Sequence, residues 1–297
     1  MLDAFAARGR FFKGNLHGHS DASDAALTAG QACARYRDAG YDFAAITDHF
    51  VERFDYPIVD TRPFRTDDFT TLIGAELHAP ANSRGEDWHI LAVGLDFDFA
   101  PPAADETGPE LARRARAAGA FVAIPHPHWS QLTLEDARAL DAAHAVEVYN
   151  HTSQVNCDRG DGLVFYDAVL SEGLRPGAIA VDDSHWRVHD GFGGWVMVKA
   201  AANTPEDLLA ALKAGHFYAS QGPVIEHVAR DGDVLHVRCS AARSIILLGA
   251  ASRNRRAHGD GLTETKLPLE PFAGSWCRLV VVDDRGRRAW TGPLRLD

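Results

Sequence analysis

Histidine and carboxylate recur where short apolar runs end in this chain. Asn15-Leu16 is followed by His17-Gly18-His19, and Asp24 lies five residues beyond His19. The run 44–47 is followed by Asp48-His49, the run 71–75 by Glu76, and the run 121–124 by Pro125, His126 and then His128. The run 146–149 leads into Asn150-His151, the run 178–181 into Asp182-Asp183-Ser184-His185, and His89 opens its own run. One histidine at a strand end is usually a hydrogen-bonded loop residue. An isolated His-x-His only puts two imidazoles on one side of a strand. Six strand ends that each deliver His, Asp, Glu or Asn to a common face are harder to dismiss. Left uncompensated, such a gathering carries a heavy desolvation cost, which divalent cations remove. The donors are nitrogen and oxygen without thiolate. That suits Zn²⁺, Mn²⁺ or Fe²⁺ and disfavours a zinc finger or a Ca²⁺ site. The candidate ligands are too many for one tetrahedral ion, so two or three divalent ions with a bridging carboxylate are expected.

The elements that would carry these residues follow from the pattern. Helices are expected over 28–39, 109–118, 133–140 and 162–172, and again from the cap Thr204-Pro205 to Gly215. They alternate with the apolar runs, and with a further run at 194–200, which indicates parallel βα units. After about residue 222 the texture changes to strand-like segments at 234–240, 244–249, 265–271, 275–284 and 289–296. Asp231-Gly232, Gly259-Asp260-Gly261 and Asp284-Arg285-Gly286 read as turns between them. The expectation is α/β: a barrel domain over 1–222 and a small all-β sandwich-like domain over 223–297.

Composition narrows the function classes. The 297 residues are 46% hydrophobic and 24% charged, ordinary for a globular chain. Thirty basic against 41 acidic residues give a net charge of −11, which argues against long nucleic acid or an anionic membrane as partner. Cys33, Cys157, Cys239 and Cys277 are scattered, as in a reduced protein without a disulfide framework. With no apolar signal core near the start and no long apolar run, the expected location is cytoplasmic.

The ordered series HGHSDASDA, ITDH, GAE, HILAVGL, PHP, EVYN and DDSH resembles the PHP (polymerase and histidinol phosphatase) superfamily of metallohydrolases. The stretches AGHFYASQGP and AWTGPLRL look like the carbaryl-hydrolase-related subgroup, in which a small β domain follows the barrel. The resemblance implies a distorted (β/α)7 barrel with a multinuclear metal centre. It implies His17, His19, Asp24, His49, Glu76, His89, His126, Asp183 and His185 as metal ligands, with Glu76 bridging and His89 and His126 on a third ion. The closing motif of the family is Gly-Ser-Asp-x-His, and here Val181-Asp182-Asp183-Ser184-His185 replaces it. The spacing favours Asp183 as ligand, with Asp182 as its competitor. Glu147 and Asn150 stand where some members place a Cys, His or Glu ligand.

The chemistry expected is metal-assisted hydrolysis by a metal-bridging hydroxide, with His185 or Asp183 passing a proton to the leaving group. Asp48 is expected to orient His49 from behind. The substrate class favoured is a small phosphomonoester or phosphodiester. The alternatives are a carboxyl ester, carbamate or amide on the same site, or a metal-stabilised binding module without turnover. Arg84 is expected over the mouth, where its guanidinium would suit a phosphate. His128 and Asn150 are further substrate candidates, and Trp129 and Trp186 are candidates for an aromatic wall. Packing or plain exposure is the competing explanation for each of these residues. Arg253, Arg255 and Arg256 read as a solvated loop. The β domain is expected either to pack across the barrel edge or to mediate a homodimer.

Overall fold

The computed structural model describes residues 2–294 and 296. A short helix α1 (Leu2–Ala6) precedes β1 (Arg10–Asn15), α2 (Ala29–Asp38), β2 (Phe43–Ile46), β3 (His49–Phe50), β4 (Thr70–Ala79) and β5 (Trp88–Val93). Then come α3 (Gly108–Ala117), β6 (Phe121–Ile124), α4 (Leu134–Ala139), β7 (Ala145–Asn150), α5 (His151–Cys157) and α6 (Leu163–Ser171). β8 (Gly177–Val181), β9 (Trp195–Ala200), α7 (Pro205–Lys213) and β10 (Phe217–Ser220) complete the α/β part. Threonine hydroxyls start four of these helices. Thr28, Thr107, Thr133 and Thr204 each accept an N–H three residues on, and the first three form capping boxes with Gln31, Glu110 and Asp136.

One mixed sheet runs β11 (Ile225–Asp231), β12 (Val234–Gly249), β14 (Cys277–Val282), β15 (Arg288–Trp290), β10, β9, β1, β2, β4, β5, β6, β7, β8, with β3 added to β4 and β13 (Asn254–Pro268) to β12. The pairs β1–β2, β2–β4, β6–β7 and β7–β8 are parallel, as expected. The pairs β4–β5, β5–β6, β1–β9 and β9–β10 are antiparallel, which the sequence reading did not anticipate. Ala79 and Trp88 are joined by too short a segment for the crossover helix that parallel pairing needs. The closed barrel is also corrected. β8 ends the hydrogen-bonded path without pairing to β10, and the Phe217 ring lies so close to Gly177 that a Cβ there would fall 2.4 Å from it. A side chain, rather than a ladder, fills that seam. The sheet still curls: α7 touches β9, β4 and β6, and its Leu208 and Leu212 join Phe12, Phe43 and Phe121 in one buried cluster. Outside the curl, Leu111 of α3 and Leu170 of α6 cover a second apolar layer.

The C-terminal part comprises β11 (Ile225–Asp231), β12 (Val234–Gly249), β13 (Asn254–Pro268), β14 (Cys277–Val282) and β15 (Arg288–Trp290). The two expected strands 234–240 and 244–249 are one bent strand. Its register shifts at Ala242 lie opposite Gly259–Gly261, which sit inside β13 rather than at a turn. Arg255 and Arg256 likewise belong to β13, not to a loop. The region has its own apolar cluster, including Leu235, Val237, Ile245, Leu247 and Leu279. β15 also pairs with β10, so the hydrogen bonding runs on from the α/β part into this region. Of the expected strand 289–296, Arg295 lies outside the described residues.

Candidate metal centre

Local pairing explains how the histidines meet. In β4, Glu76 and His78 are two residues apart and share a face. His49 of β3 is the register partner of Glu76, and His89 of β5 that of His78. Glu76 therefore sits within a strand, not beyond its end. On the other side, Gly18 and Ser184 bridge the extensions of β1 and β8, with His19 N–H on the Ser184 carbonyl and Asp183 N–H on the His17 carbonyl. That small ladder sets His17 and His19 against Asp183 and His185. Two residues here take left-handed backbone without being glycine: Asp183 at φ 56° and His126 at φ 27°. Such strain persists only when the surroundings over-determine it. Thr152 Oγ1 holds the Asp183 carbonyl at 2.7 Å, and Glu147 Oε2 holds the His126 N–H at 2.7 Å.

Glu76 is the hub and only 1% exposed. Its Oε1 lies 2.8 Å from His89 Nδ1, 3.0 Å from His126 Nε2 and 3.6 Å from His17 Nε2. Its Oε2 lies 2.6 Å from His49 Nδ1 and 3.8 Å from both His19 Nε2 and His78 Nε2. Asp183 Oδ1 is 2.9 Å from His19 Nε2 and 3.3 Å from His17 Nε2. Asp24 Oδ1 is 3.3 Å from His185 Nε2 and 3.5 Å from His49 Nε2. All nine expected ligands come together.

The electrostatics are strained in both directions. Burial works against charge on Glu76, but His89, His49 and His17 hold its carboxyl well below the usual range. Burial likewise opposes charge on His17, and Asp183, Glu147 and Glu76 overcome it to raise its pKa. His185 is lifted to about 9 against burial by the nearby Asp24 and Asp183 carboxylates. Burial and the neighbouring His185 push His19 down to about 4, and burial takes His78 to about 3.

The donor set fits divalent cations. His17 Nε2, His19 Nδ1, Asp24 Oδ1 and Glu76 Oε2 are buried without a hydrogen-bond partner, a costly state for polar atoms. Four overlapping groups each bring their ligand atoms within 4.8 Å of one another. They are His19, Asp24, His49 and His185; His49, Glu76, His78 and His89; His17, His19 and Glu76; and His17, His126 and Asp183. Of the residues shared between groups, Glu76 is the carboxylate that can bridge two ions, whereas His17, His19 and His49 can each serve one.

Several neighbouring residues have other tasks than expected. Asp48 accepts from Ser20 N–H, Ser20 Oγ and Ser23 Oγ, so it braces the turn that carries Asp24 rather than orienting His49. Asp182 takes N–H bonds from Phe192, Gly193 and Gly194 and the Tyr36 hydroxyl, which leaves the ligand position to Asp183. His185 Nδ1 donates to the Asp183 carbonyl, which leaves Nε2, 3.3 Å from Asp24 Oδ1, as the nitrogen that faces the cluster. Asn150 spends Nδ2 on Glu147 and Asp183 and accepts the Ser153 N–H that caps α5. It positions other groups, and no atom of it is left for substrate. Arg84 and Trp129 do line the cleft over the cluster, with Trp129 edge-on to His89 and His126. His128 is exposed outside that lining, and Trp186 packs on Tyr36 and Phe192 instead of forming a wall.

Two members were not in the expected ligand set. His78 is one, although its two-residue spacing from Glu76 was a signal. Glu147 is the other: it accepts from His17 Nδ1 at 2.7 Å and so fixes which nitrogen of that ring faces the centre.

No family model and no curated protein matches the chain. Solved structures do. A two-domain protein from Bacteroides vulgatus ATCC 8482, described as containing a predicted PHP-like metal-dependent phosphoesterase, superposes with a TM-score of 0.55 at 15% identity, covering 96% of each chain. A protein assigned as a metal-dependent phosphoesterase from Bifidobacterium adolescentis ATCC 15703 covers 58% of this chain and 87% of its own, with TM-score 0.41 and 14% identity. An amidohydrolase from Chromobacterium violaceum covers 60% and 89%, also at 0.41, with 15% identity. The fold assignment rests on the first alone: this chain shares the fold of that two-domain PHP-like protein over nearly its whole length.

Proposed function

We propose that the protein is a metal-dependent hydrolase of the PHP type, acting as a phosphoesterase on a small phosphomonoester or phosphodiester. The observation that carries this reading is the pairing of the buried ligand cluster with the cations around its cleft. Arg53, Arg84, Arg159 and Arg187 line that cleft, and among the described residues none lies within ion-pair distance of a carboxylate. Arginines left without counter-ions above a metal-ligand cluster suit a substrate that brings its own negative charge.

His17, His19, Asp24, His49, Glu76, His78, His89, His126, Asp183 and His185 would hold two or three divalent ions of Zn, Mn or Fe type. When bound, such ions lower the pKa of water and stabilise negative charge developing on the reacting group. The chain's own residues prepare the site. Glu147 fixes the His17 ring, Asp48 and the two serines hold the Asp24 turn, and Asp182 anchors residues 192–194 beside Asp183. Arg84, pinned through Nε to the Gln131 carbonyl at 3.3 Å, would orient a phosphate.

A second reading, a carbamate, carboxyl-ester or amide hydrolase, is favoured by Trp129, which is 45% exposed at the cleft. It has less support, because Trp186 does not join it. Elemental analysis paired with turnover of p-nitrophenyl phosphate, bis(p-nitrophenyl) phosphate and 1-naphthyl carbamate separates the two. Two or three ions per chain with phosphate-ester turnover is the expected result. Carbamate turnover alone would move the assignment to the second reading. A chain inert after Mn²⁺ and Zn²⁺ are supplied would leave a non-catalytic binding module.

A further inference from the structure

The histidine cluster sits beyond the C-terminal ends of β6 and β8. At their opposite ends lies a second cleft, of about 1260 Å³, which nothing in the proposed reaction uses. One wall carries Arg116, His144, Arg175 and Lys213. His144 ties this wall together. Its carbonyl accepts the Gly177 N–H at 2.8 Å, two residues past Arg175, and Arg116 Nη1 donates to the Ala142 carbonyl at 3.0 Å. Val122 N–H donates to His144 Nδ1 at 3.0 Å, so the neutral ring carries its proton on Nε2 and is a donor there. Burial first, then Arg116 and Lys213, keep that ring at a pKa of about 4, which also places both cations near it.

Each cation is held by backbone carbonyls rather than neutralised. Arg175 Nη1 donates to the Leu170 carbonyl at 2.7 Å, and Lys213 Nζ to the Gly119 carbonyl at 3.0 Å. Neither they nor Arg116 has a carboxylate within ion-pair distance among the described residues. Two of the three carboxylates lining the cleft are committed elsewhere. Asp141 pairs with Arg113 at 2.9 Å and Glu270 with Arg255 at 3.6 Å, while Asp233 lines it together with a fourth cation, Arg230. In a chain of net charge −11, three cations fixed in place without counter-ions are a preorganised anion site. Apolar groups also line it, and Ala143 and Leu174, unlike the fully buried Leu212 and Phe272, keep accessible surface there. Convergent polar groups on an apolar wall are the make-up of a small-molecule pocket.

We propose that this cleft is a second ligand site, for a small organic anion. Arg116, Arg175 and Lys213 take its phosphate, sulfonate or carboxylate group, and Ala143 and Leu174 take its apolar body. The probe is naphthalene-2-sulfonate, titrated calorimetrically into the full chain. The expected result is one saturable site, weakened at least tenfold in Arg116→Ala/Lys213→Ala and kept in Arg84→Ala, which alters the other cleft. Inorganic sulfate should bind at least tenfold more weakly than the naphthyl compound. If the double variant fails to fold, Arg175→Ala reads the same loss. Absence of saturable binding would overturn the proposal. So would binding lost in Arg84→Ala but kept in the double variant. Equal affinity for sulfate would overturn the apolar half of it. None of these readings depends on turnover at the histidine cluster.

Discussion

Two antiparallel pairs in this molecule do opposite work. Along β4 and β5 almost every side chain is buried, polar or not, and His78 faces His89 while Glu76 sits among imidazoles. Along β12 the pattern alternates: Leu235, Val237, Ile245 and Leu247 are buried, and His236, Arg238 and Ser244 point toward solvent. The second pattern is that of a sheet with one wet face, in which burial of apolar groups favours folding. The first buries polar atoms without partners, which opposes folding unless something compensates them. The β12–β13 region therefore supports the fold, and the β3–β4–β5 ladder costs stability that the proposed ions would offset.

The sharpest test of that contrast is Glu76→Ala. Removing the hub of the ligand set should lower kcat/KM by about a thousandfold or more, roughly 4 kcal/mol at 1.36 kcal/mol per decade. Circular dichroism should show the fold retained, and elemental analysis should show fewer ions per chain. An active Glu76→Ala variant would break the assignment of this ladder to chemistry. The mirror experiment is Leu247→Ala in β12. Truncating a fully buried leucine should cost about 2–5 kcal/mol of stability, read by denaturant unfolding. Activity per folded molecule should stay within about twofold of the parent. If activity per folded molecule fell with stability, the two regions would not be separable in this way.

The contrast also explains what could be read in the sequence. The candidate ligands are legible because metal chemistry demands residue types that packing avoids, and His17, His49, Glu76, Asp183 and the others stand out against apolar runs. His78 does not stand at a strand end, because β4 runs on through Glu76 to Ala79. Glu147 and Asp182 show a different limit. Both are buried carboxylates beside ligands, and only their hydrogen-bond partners reveal that they brace instead of bind. Strand existence was legible from apolar runs, but direction and closure were not. Antiparallel β5 follows from a short connection, and the open seam follows from the Phe217 ring lying against Gly177, a contact between distant positions. The continuity of β10 with β15 is equally non-local.

A smaller effect is expected at the cleft. Arg84→Ala should raise KM for a phosphate ester about tenfold, near 1.4 kcal/mol, and leave kcat within about threefold. Arg84→Lys should restore only part of this, because an ammonium lacks the planar fork. A fall in kcat with KM unchanged would remove Arg84 from substrate binding.

The mildest slope is in pH, and it probes the compensation directly. In metal-free protein, His185 has a folded pKa of about 9 against an ordinary 6.5, so its protonated form stabilises the fold fully below about pH 6.5. That contribution is lost as pH rises through 9, and His17, raised by Asp183, Glu147 and Glu76, acts in the same direction. His19 at about 4 and His78 at about 3 act oppositely: below pH 6.5 the unfolded chain takes up protons that the native state resists. The stability of chelator-treated protein, followed as Tm, should therefore peak near pH 6.5, and its unfolding free energy should fall on the alkaline side by about 1.4 kcal/mol per pH unit for each proton lost. Bound cations occupy the nitrogens that those protons leave, so the Tm gap between loaded and chelated protein should widen from pH 6.5 to 9. Thermal melts of both forms across that range decide it. A chelated protein whose Tm stays level above pH 6.5 would mean that the buried carboxylates are compensated by something other than the imidazoles around Glu76.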